Sequence, residues 1–173
     1  KSDGLPTYHF AHAVDDHLMR TTHVVRGEEW LSTWPCHVQM FAALGWKPPK
    51  YVHTAQLMKM DGGSKRKLSK RKDPELALDF YFAEGFPVPS VIEYLLTLLN
   101  SNFEEWRLAN PTEPVENFKF NTKKMSVSGS LFDLDKLRDV SRNVVAMLST
   151  EKVWEYLTDW AEKYDEEFYK LLT

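Results

Sequence analysis

The sequence predicts an α/β segment followed by an all-α segment, with the change near residue 73. Three observations predict it. Thr21–Arg26, Glu29–Leu44 and Tyr51–Met60 read as strand, helix and strand, the span of a βαβ crossover and the pattern of a parallel sheet. From Asp73-Pro74 onward the periodicity turns helical. Between the two lies Ser64–Lys72, SKRKLSKRK, in which six of nine residues are Lys or Arg although the whole chain carries a formal charge of -3.

Taken in order, Tyr8–Leu18 has helical spacing, with Gly4 and Pro6 before it. Thr21–Arg26 is a short β-branched run bounded by Gly27, the pattern of a buried strand. Glu29–Leu44 is helical and stops at Gly45, ahead of Pro48-Pro49. Tyr51–Met60 is a second strand, ended by Asp61-Gly62-Gly63. Asp73 followed by Pro74 fits an N-cap with proline at the first helical position, opening Glu75–Glu84. Ser90 is expected to cap Val91–Asn100, and Phe103–Leu108 is a short helix. Asn110–Ser130, with Pro111, Pro114 and Gly129, reads as a loop with an extended piece. Asp133–Leu148 and Thr150–Leu172 are two amphipathic helices.

Composition narrows the function classes. A hydrophobic content of 43% and aromatic content of 13% suffice for a core. No apolar run approaches the roughly 20 residues of a membrane span. Lys1-Ser2-Asp3-Gly4 lacks the apolar stretch of a signal peptide, and the single Cys36 fits a reducing, cytoplasmic setting. Charge is asymmetric: residues 1–73 carry 12 Lys/Arg against 7 Asp/Glu, and residues 74–173 carry 10 against 18. The local field of the first part therefore favours an anionic ligand, while the second is no general nucleic-acid platform. His9, His17, His23, His37 and His53 show no metal-ligand spacing, so no protein-bound metal is expected.

Ligands of open parallel sheets collect at the carboxyl ends of strands. Arg26 to Trp30 follows the first strand and the basic tract follows the second, so both are expected at one edge of one sheet. Within the tract, Lys67 and Lys70 flank Leu68-Ser69 and can direct two ammonium groups at one polyphosphate. Arg26 offers a planar fork for a carboxylate, although Asp15, Asp16 and Glu28 are near enough in sequence to compete for it. Trp30 fits packing in the strand-helix junction as well as it fits ligand contact.

Lys67-Leu68-Ser69-Lys70-Arg71 resembles the KMSKS signature loop of class I aminoacyl-tRNA synthetases, in the spelling of the glutamyl enzymes. Pro6–Ala11, Val14–Met19 and Thr22–Trp30 look like the second half of the same family's catalytic domain, and Met125–Asp133 is similar to its stem-contact region. The resemblance covers nearly the whole chain in the family's order. It implies the C-terminal half of a Rossmann-type catalytic domain in residues 1–73 and a helical stem-contact domain in residues 74–173.

The same resemblance implies ATP-dependent ligation of L-glutamate to tRNA through glutamyl-adenylate. It implies catalytic roles for Lys67 and Lys70, and a glutamate pocket of Tyr8, Arg26 and His12, the last at a position where the family more often has asparagine or a small apolar residue. ATP would be held by Glu29, Trp30, the main chain at Leu57 and Met58, and the Lys67, Leu68, Ser69, Lys70, Arg71 loop. Magnesium is expected to accompany ATP as substrate. The expected macromolecular partner is tRNA, through its acceptor stem and inner corner, and the full-length enzyme is expected to be a monomer. The family's first signature, HIGH, is spelled nowhere, so a fragment inactive by itself is expected. A glutaminyl-tRNA synthetase, or a non-catalytic RNA-binding module of the same fold, are the alternatives.

Overall fold

The computed structural model describes residues 1–127 and 129–173, so Ser128 of the Met125–Asp133 resemblance lies outside the described residues. The chain divides into two compact units, Lys1–Gln56 and Leu57–Thr173.

In the first unit, helix α1 spans Tyr8–Leu18, as its spacing predicts. Strand β1, His23–Gly27, pairs in parallel with β2, Lys50–Thr54, in a register running from His23 opposite Lys50 to Gly27 opposite Thr54. The connection differs from the single helix expected over Glu29–Leu44. Glu28–Thr33 forms 3-10 turns, and the α-helix proper, α2, covers only Trp34–Ala43. Pro35 has no N–H to give to the carbonyl four residues back, so a regular α-helix cannot run through it from the amino side; at the start of a helix it costs nothing. The helix ends where Gly45 takes φ 72° and the Trp46 N–H returns to the Phe41 carbonyl at 2.8 Å, a Schellman closure. Ala13, His37 and Phe41 are the buried residues of this unit.

The second unit opens with a hairpin. The chain predicted as one strand over Tyr51–Met60 is interrupted at Ala55-Gln56, and Leu57–Asp61 is a separate strand, β3. Gly62 and Gly63, both at positive φ (54° and 85°), turn it back into β4, Ser64–Lys67. Two successive positive φ values match the twist of paired strands, which is why a Gly-Gly pair works here. Four of the nine residues of the basic tract are therefore strand rather than loop. β3 also pairs in parallel with β5, Ser130–Leu131, giving the order β4-β3-β5. The expectation of one sheet carrying both motifs is thus corrected: Arg26 belongs to the β1-β2 sheet and the basic tract to the β4-β3-β5 sheet. The second half is not purely helical, because β5 returns to the hairpin.

Helices make up most of the remainder. After 3-10 turns at Pro74–Leu76 come α3 (Leu78–Ala83), α4 (Val88–Leu99), α5 (Phe103–Ala109), α6 (Leu134–Ala146), α7 (Thr150–Tyr164) and α8 (Glu166–Leu172). Ser90 does not cap α4; it is buried inside a helix that starts after Pro87. Asp133 does cap α6, accepting from the N–H groups of Asp135 and Lys136. The helix expected over Thr150–Leu172 breaks at Asp165, whose carboxylate accepts from the Phe168 N–H and starts α8.

Leu68, Tyr81, Tyr94, Phe132 and Leu137 form the core of this unit, with Leu57 packed against it. The hairpin therefore joins the helical part through both its pairing and its apolar side chains. For that reason the second compact unit includes the hairpin and begins at Leu57.

Candidate functional site

Arg26, near the carboxyl end of β1, is surrounded by rings. Its guanidinium lies 4.9 Å from the centre of the Tyr51 ring and 5.8 Å from that of Trp30. Nε donates to His53 Nε2 at 3.2 Å, and Nη1 donates to His37 Nδ1 at 3.1 Å. Arginine has no acceptor, so both imidazole nitrogens must accept and both rings must be neutral on those sides. His37 then carries its proton on Nε2, which donates to His9 Nδ1 at 2.8 Å.

The remaining guanidinium nitrogen, Nη2, is buried without a partner among the described residues. Unpaired buried donors of a charged group are costly, and each such group calls for an explanation. Two of the three carboxylates named as competitors for Arg26 are engaged elsewhere. Asp16 Oδ2 lies 2.6 Å from His12 Nδ1, and Glu28 accepts from the Gln56 N–H. Among the described residues no carboxylate lies within 4.0 Å of Arg26.

Tyr8 and Trp30 close one side, with ring centres 4.6 Å apart; Tyr8 also stacks in parallel on His12. His12 Nε2 meets the Tyr51 hydroxyl at 3.0 Å. Burial lowers the pKa of His12, with Asp16 opposing and Arg26 reinforcing the shift. His37, wholly inaccessible, is pushed down to about 4 by burial first and then by His12, Arg26 and His9. Burial and then Arg26 also lower His53. Glu29 reaches back over Gly27, where a side chain would meet its carboxylate. Tyr8, His12, Arg26, Glu29 and Trp30, all singled out in the sequence, thus belong to the Lys1–Gln56 unit.

Leu57, Met58 and the Lys67–Arg71 segment belong to the other unit. The Leu57 carbonyl accepts from the Leu68 N–H and the Met58 carbonyl from the Phe132 N–H, so both are used within the sheet and its margins. Leu68 is 2% exposed and pins the loop to the core. Beyond it, Asp73 accepts from the Ser69 N–H at 2.8 Å and from both Nη atoms of Arg66. Arg66 holds the Asp73 carboxyl well below the usual carboxylate range, with the Ser69 N–H next and Lys59 a lesser influence. Lys65, Lys67, Lys70, Arg71 and Lys72 are exposed and form no ion pair among the described residues. The loop therefore sorts its cations: Arg66 is structural, and the other five are exposed.

Sequence reasoning missed His37, Tyr51 and His53 as partners of Arg26, His9 as the partner of His37, and Asp73 as the brace of the loop. A histidine on the apolar face of α2, between Cys36 and Val38, was the available signal for His37, since a buried imidazole needs partners. Among the described residues no group of three or more His, Cys, Asp or Glu side chains could hold a metal ion, and no helix is long and apolar enough to cross a membrane.

A parallel strand pair bearing an arginine among aromatic rings lies in one unit, and a braced lysine loop lies in the other. Residues 1–139 match the family model of class I tRNA synthetases (E and Q), catalytic domain, and the chain belongs to that family. It is 60% identical over 172 residues to the glutamate–tRNA ligase of Acetivibrio thermocellus, covering 99% of this chain and 32% of that relative. It is likewise 60% identical over 173 residues to the glutamate–tRNA ligase of Clostridium perfringens strain 13, covering 100% and 32%. The crystal structure of a glutamate tRNA ligase from Elizabethkingia meningosepticum CCUG26117 in complex with its amino acid superposes with a TM-score of 0.72 at 27% identity, over 95% of this chain and 35% of that one. The chain spans about a third of the length of the curated relatives it matches.

Proposed function

We propose that this chain is the part of a glutamate–tRNA ligase that receives glutamate and steadies ATP while glutamyl-adenylate forms. The observation that carries this reading is Arg26: a partly buried cation with an unpartnered Nη2, neutral neighbours and no anion of its own. A ligand carboxylate would supply the missing charge and accept from Nη2. Tyr8 and His12 would line the same pocket, and Glu29 and Trp30 would meet the nucleoside.

In the reaction, a glutamate α-carboxylate oxygen attacks the α-phosphorus of ATP, and the bond to pyrophosphate breaks. Charge gathers on the α-phosphate and the leaving group. Lys67 and Lys70 would stabilise that charge without exchanging a proton, which is where preorganised cations lower a barrier. Ser69 and Leu68 would hold the loop backbone, Arg71 would add to the field, and the Leu57-Met58 strand would flank the adenine. Magnesium would arrive bound to the triphosphate. The glutamyl group would then pass to the terminal ribose of tRNA, with residues 74–173 meeting its acceptor stem and inner corner, in a monomeric cytoplasmic enzyme.

The test is ATP–pyrophosphate exchange by the intact protein that carries this chain, with each amino acid in turn. Exchange that requires glutamate supports the reading. Exchange that requires glutamine and ignores glutamate favours the glutaminyl alternative, and its absence with every amino acid favours a non-catalytic module.

A further inference from the structure

Arg26 is oriented by two hydrogen bonds, and neither partner carries charge. His53 Nε2 accepts from Nε and His37 Nδ1 accepts from Nη1. A carboxylate in either place would orient the guanidinium equally well, since a fork pairs readily with a carboxylate. It would also neutralise it. A ligand carboxylate entering such a site would then shed its water for a partner already paired, whereas a ligand amide would lose little.

We infer that His37 and His53 are specificity-determining positioning residues, which fix the direction of Arg26 with neutral acceptors so that its whole charge is reserved for a carboxylate over the isosteric amide. This rests on the reading of Arg26 as the receptor of the glutamate side chain.

The surroundings keep His37 in that state, and burial with Arg26 acts the same way on His53. His37 faces His9, His12 and Tyr8 from α1, Arg26 from β1 and Tyr51 from β2. None of these is anionic, so nothing there favours the imidazolium. His37 passes its own proton outward to His9 rather than toward the guanidinium. Nη2, left without a protein partner, marks the side of the fork that remains for the ligand.

The test uses substitutions that differ only in charge. An Asn side chain at 37 can place a neutral oxygen near the position of the imidazole Nδ1, and Asp places a charged one there. At 53, Gln and Glu do the same for Nε2. In the intact protein, kcat/KM for adenylate formation is measured with glutamate and with glutamine for His37→Asn, His37→Asp, His53→Gln and His53→Glu. The neutral variants are expected to keep the glutamate preference, and the charged ones to lower the glutamate-to-glutamine ratio by about a hundredfold, the scale of one nearby compensating charge. If His37→Asp does not fold, the more accessible His53 pair decides. Equal ratios within the pair that folds overturn the inference. Arg26→Ala is run alongside: lost glutamate use with equal ratios sinks this inference alone, and unchanged glutamate use sinks it together with the reading of Arg26.

Discussion

Arg66 and Asp73 meet fork to fork, with Nη1 2.7 Å from Oδ2 and Nη2 2.8 Å from Oδ1, while the same Asp73 Oδ2 accepts from the Ser69 N–H. This clasp closes the turn between β4 and the first helical turns, so that Lys67 and Lys70 leave the chain from a fixed backbone. Arg66 also pairs with Asp61 beside the hairpin turn, which ties both ends of β4.

Asp73→Asn keeps the shape and removes the charge, and it should raise the hydrogen-exchange rates of the amides between Leu68 and Asp73. Lys72→Ala, an exposed cation outside the clasp, should leave them unchanged. Equal exchange in the two variants would mean that the clasp does not order the loop.

The clasp also has a pH signature. Its folded carboxyl titrates below the ordinary value near 3.9. A group depressed on folding stabilises above its unfolded pKa and loses that contribution as pH falls through the folded one. Exchange protection of Ser69 should hold from neutral pH to about 4 and decline progressively as pH falls further toward the depressed folded pKa in the native protein. In Asp73→Asn that step should be missing.

Loop chemistry separates from loop charge by comparing Lys70→Ala with Lys72→Ala at fixed ionic strength. Lys70→Ala should depress kcat for adenylate formation by about a hundred- to a thousandfold with little change in KM for ATP, the scale of one preorganised donor. Lys72→Ala should cost far less and vary with salt, since exposed charges are screened beyond about 10 Å. Arg66 cannot serve as the control, because its loss would release Asp73. Equal, salt-sensitive losses at 70 and 72 would reduce the loop to an electrostatic collar.

Leu68 anchors the loop in the core beside Tyr81, Tyr94, Phe132 and Leu137. Leu68→Ala should destabilise the Leu57–Thr173 unit by about 2–5 kcal/mol in urea unfolding, the usual cost of a buried Leu cavity. Leu171→Ala, at a position 83% exposed, should stay within about 0.5 kcal/mol.

His37 titrates near 4 when folded, against an ordinary 6.5. A neutral buried base is at full advantage above its unfolded pKa, and the advantage shrinks as pH falls from about 6.5 to about 4. Stability of the Lys1–Gln56 unit, followed by tryptophan fluorescence, should decline across that window. The groups facing His37, namely His9, His12, Tyr8, Arg26 and Tyr51, supply no anion to reverse the sign. In His37→Asn the decline should be smaller.

Much of the fold was legible because its signals are local. Periodicity fixed α1 to the residue, Gly45 marked the end of α2, and Asp133 announced α6. Some misreadings were places where distant residues decide, and others were local signals passed over. Ala55-Gln56 looks continuous with its neighbours until β3 finds β5, a two-residue strand that no periodicity announces. Pro35 shortens a helix whose apolar spacing continues through it. Arg26 and the lysines are recognisable by type and motif, whereas their supports are not. His37 reads as one more core residue of α2, and Asp73 as an ordinary N-cap, until the folded chain shows what each of them holds.

The most direct measurement is the kinetic response of the intact protein to Arg26→Ala. If Arg26 receives the glutamate side chain, KM for glutamate should rise while KM for ATP holds, with kcat/KM for glutamate falling by about 2–4 kcal/mol, the cost of leaving a buried ligand charge unpaired. Arg26→Lys should recover only part of the loss, because an ammonium cannot reproduce the fork. An unchanged KM for glutamate in Arg26→Ala would contradict the account and make the arginine a scaffold for its ring of histidines.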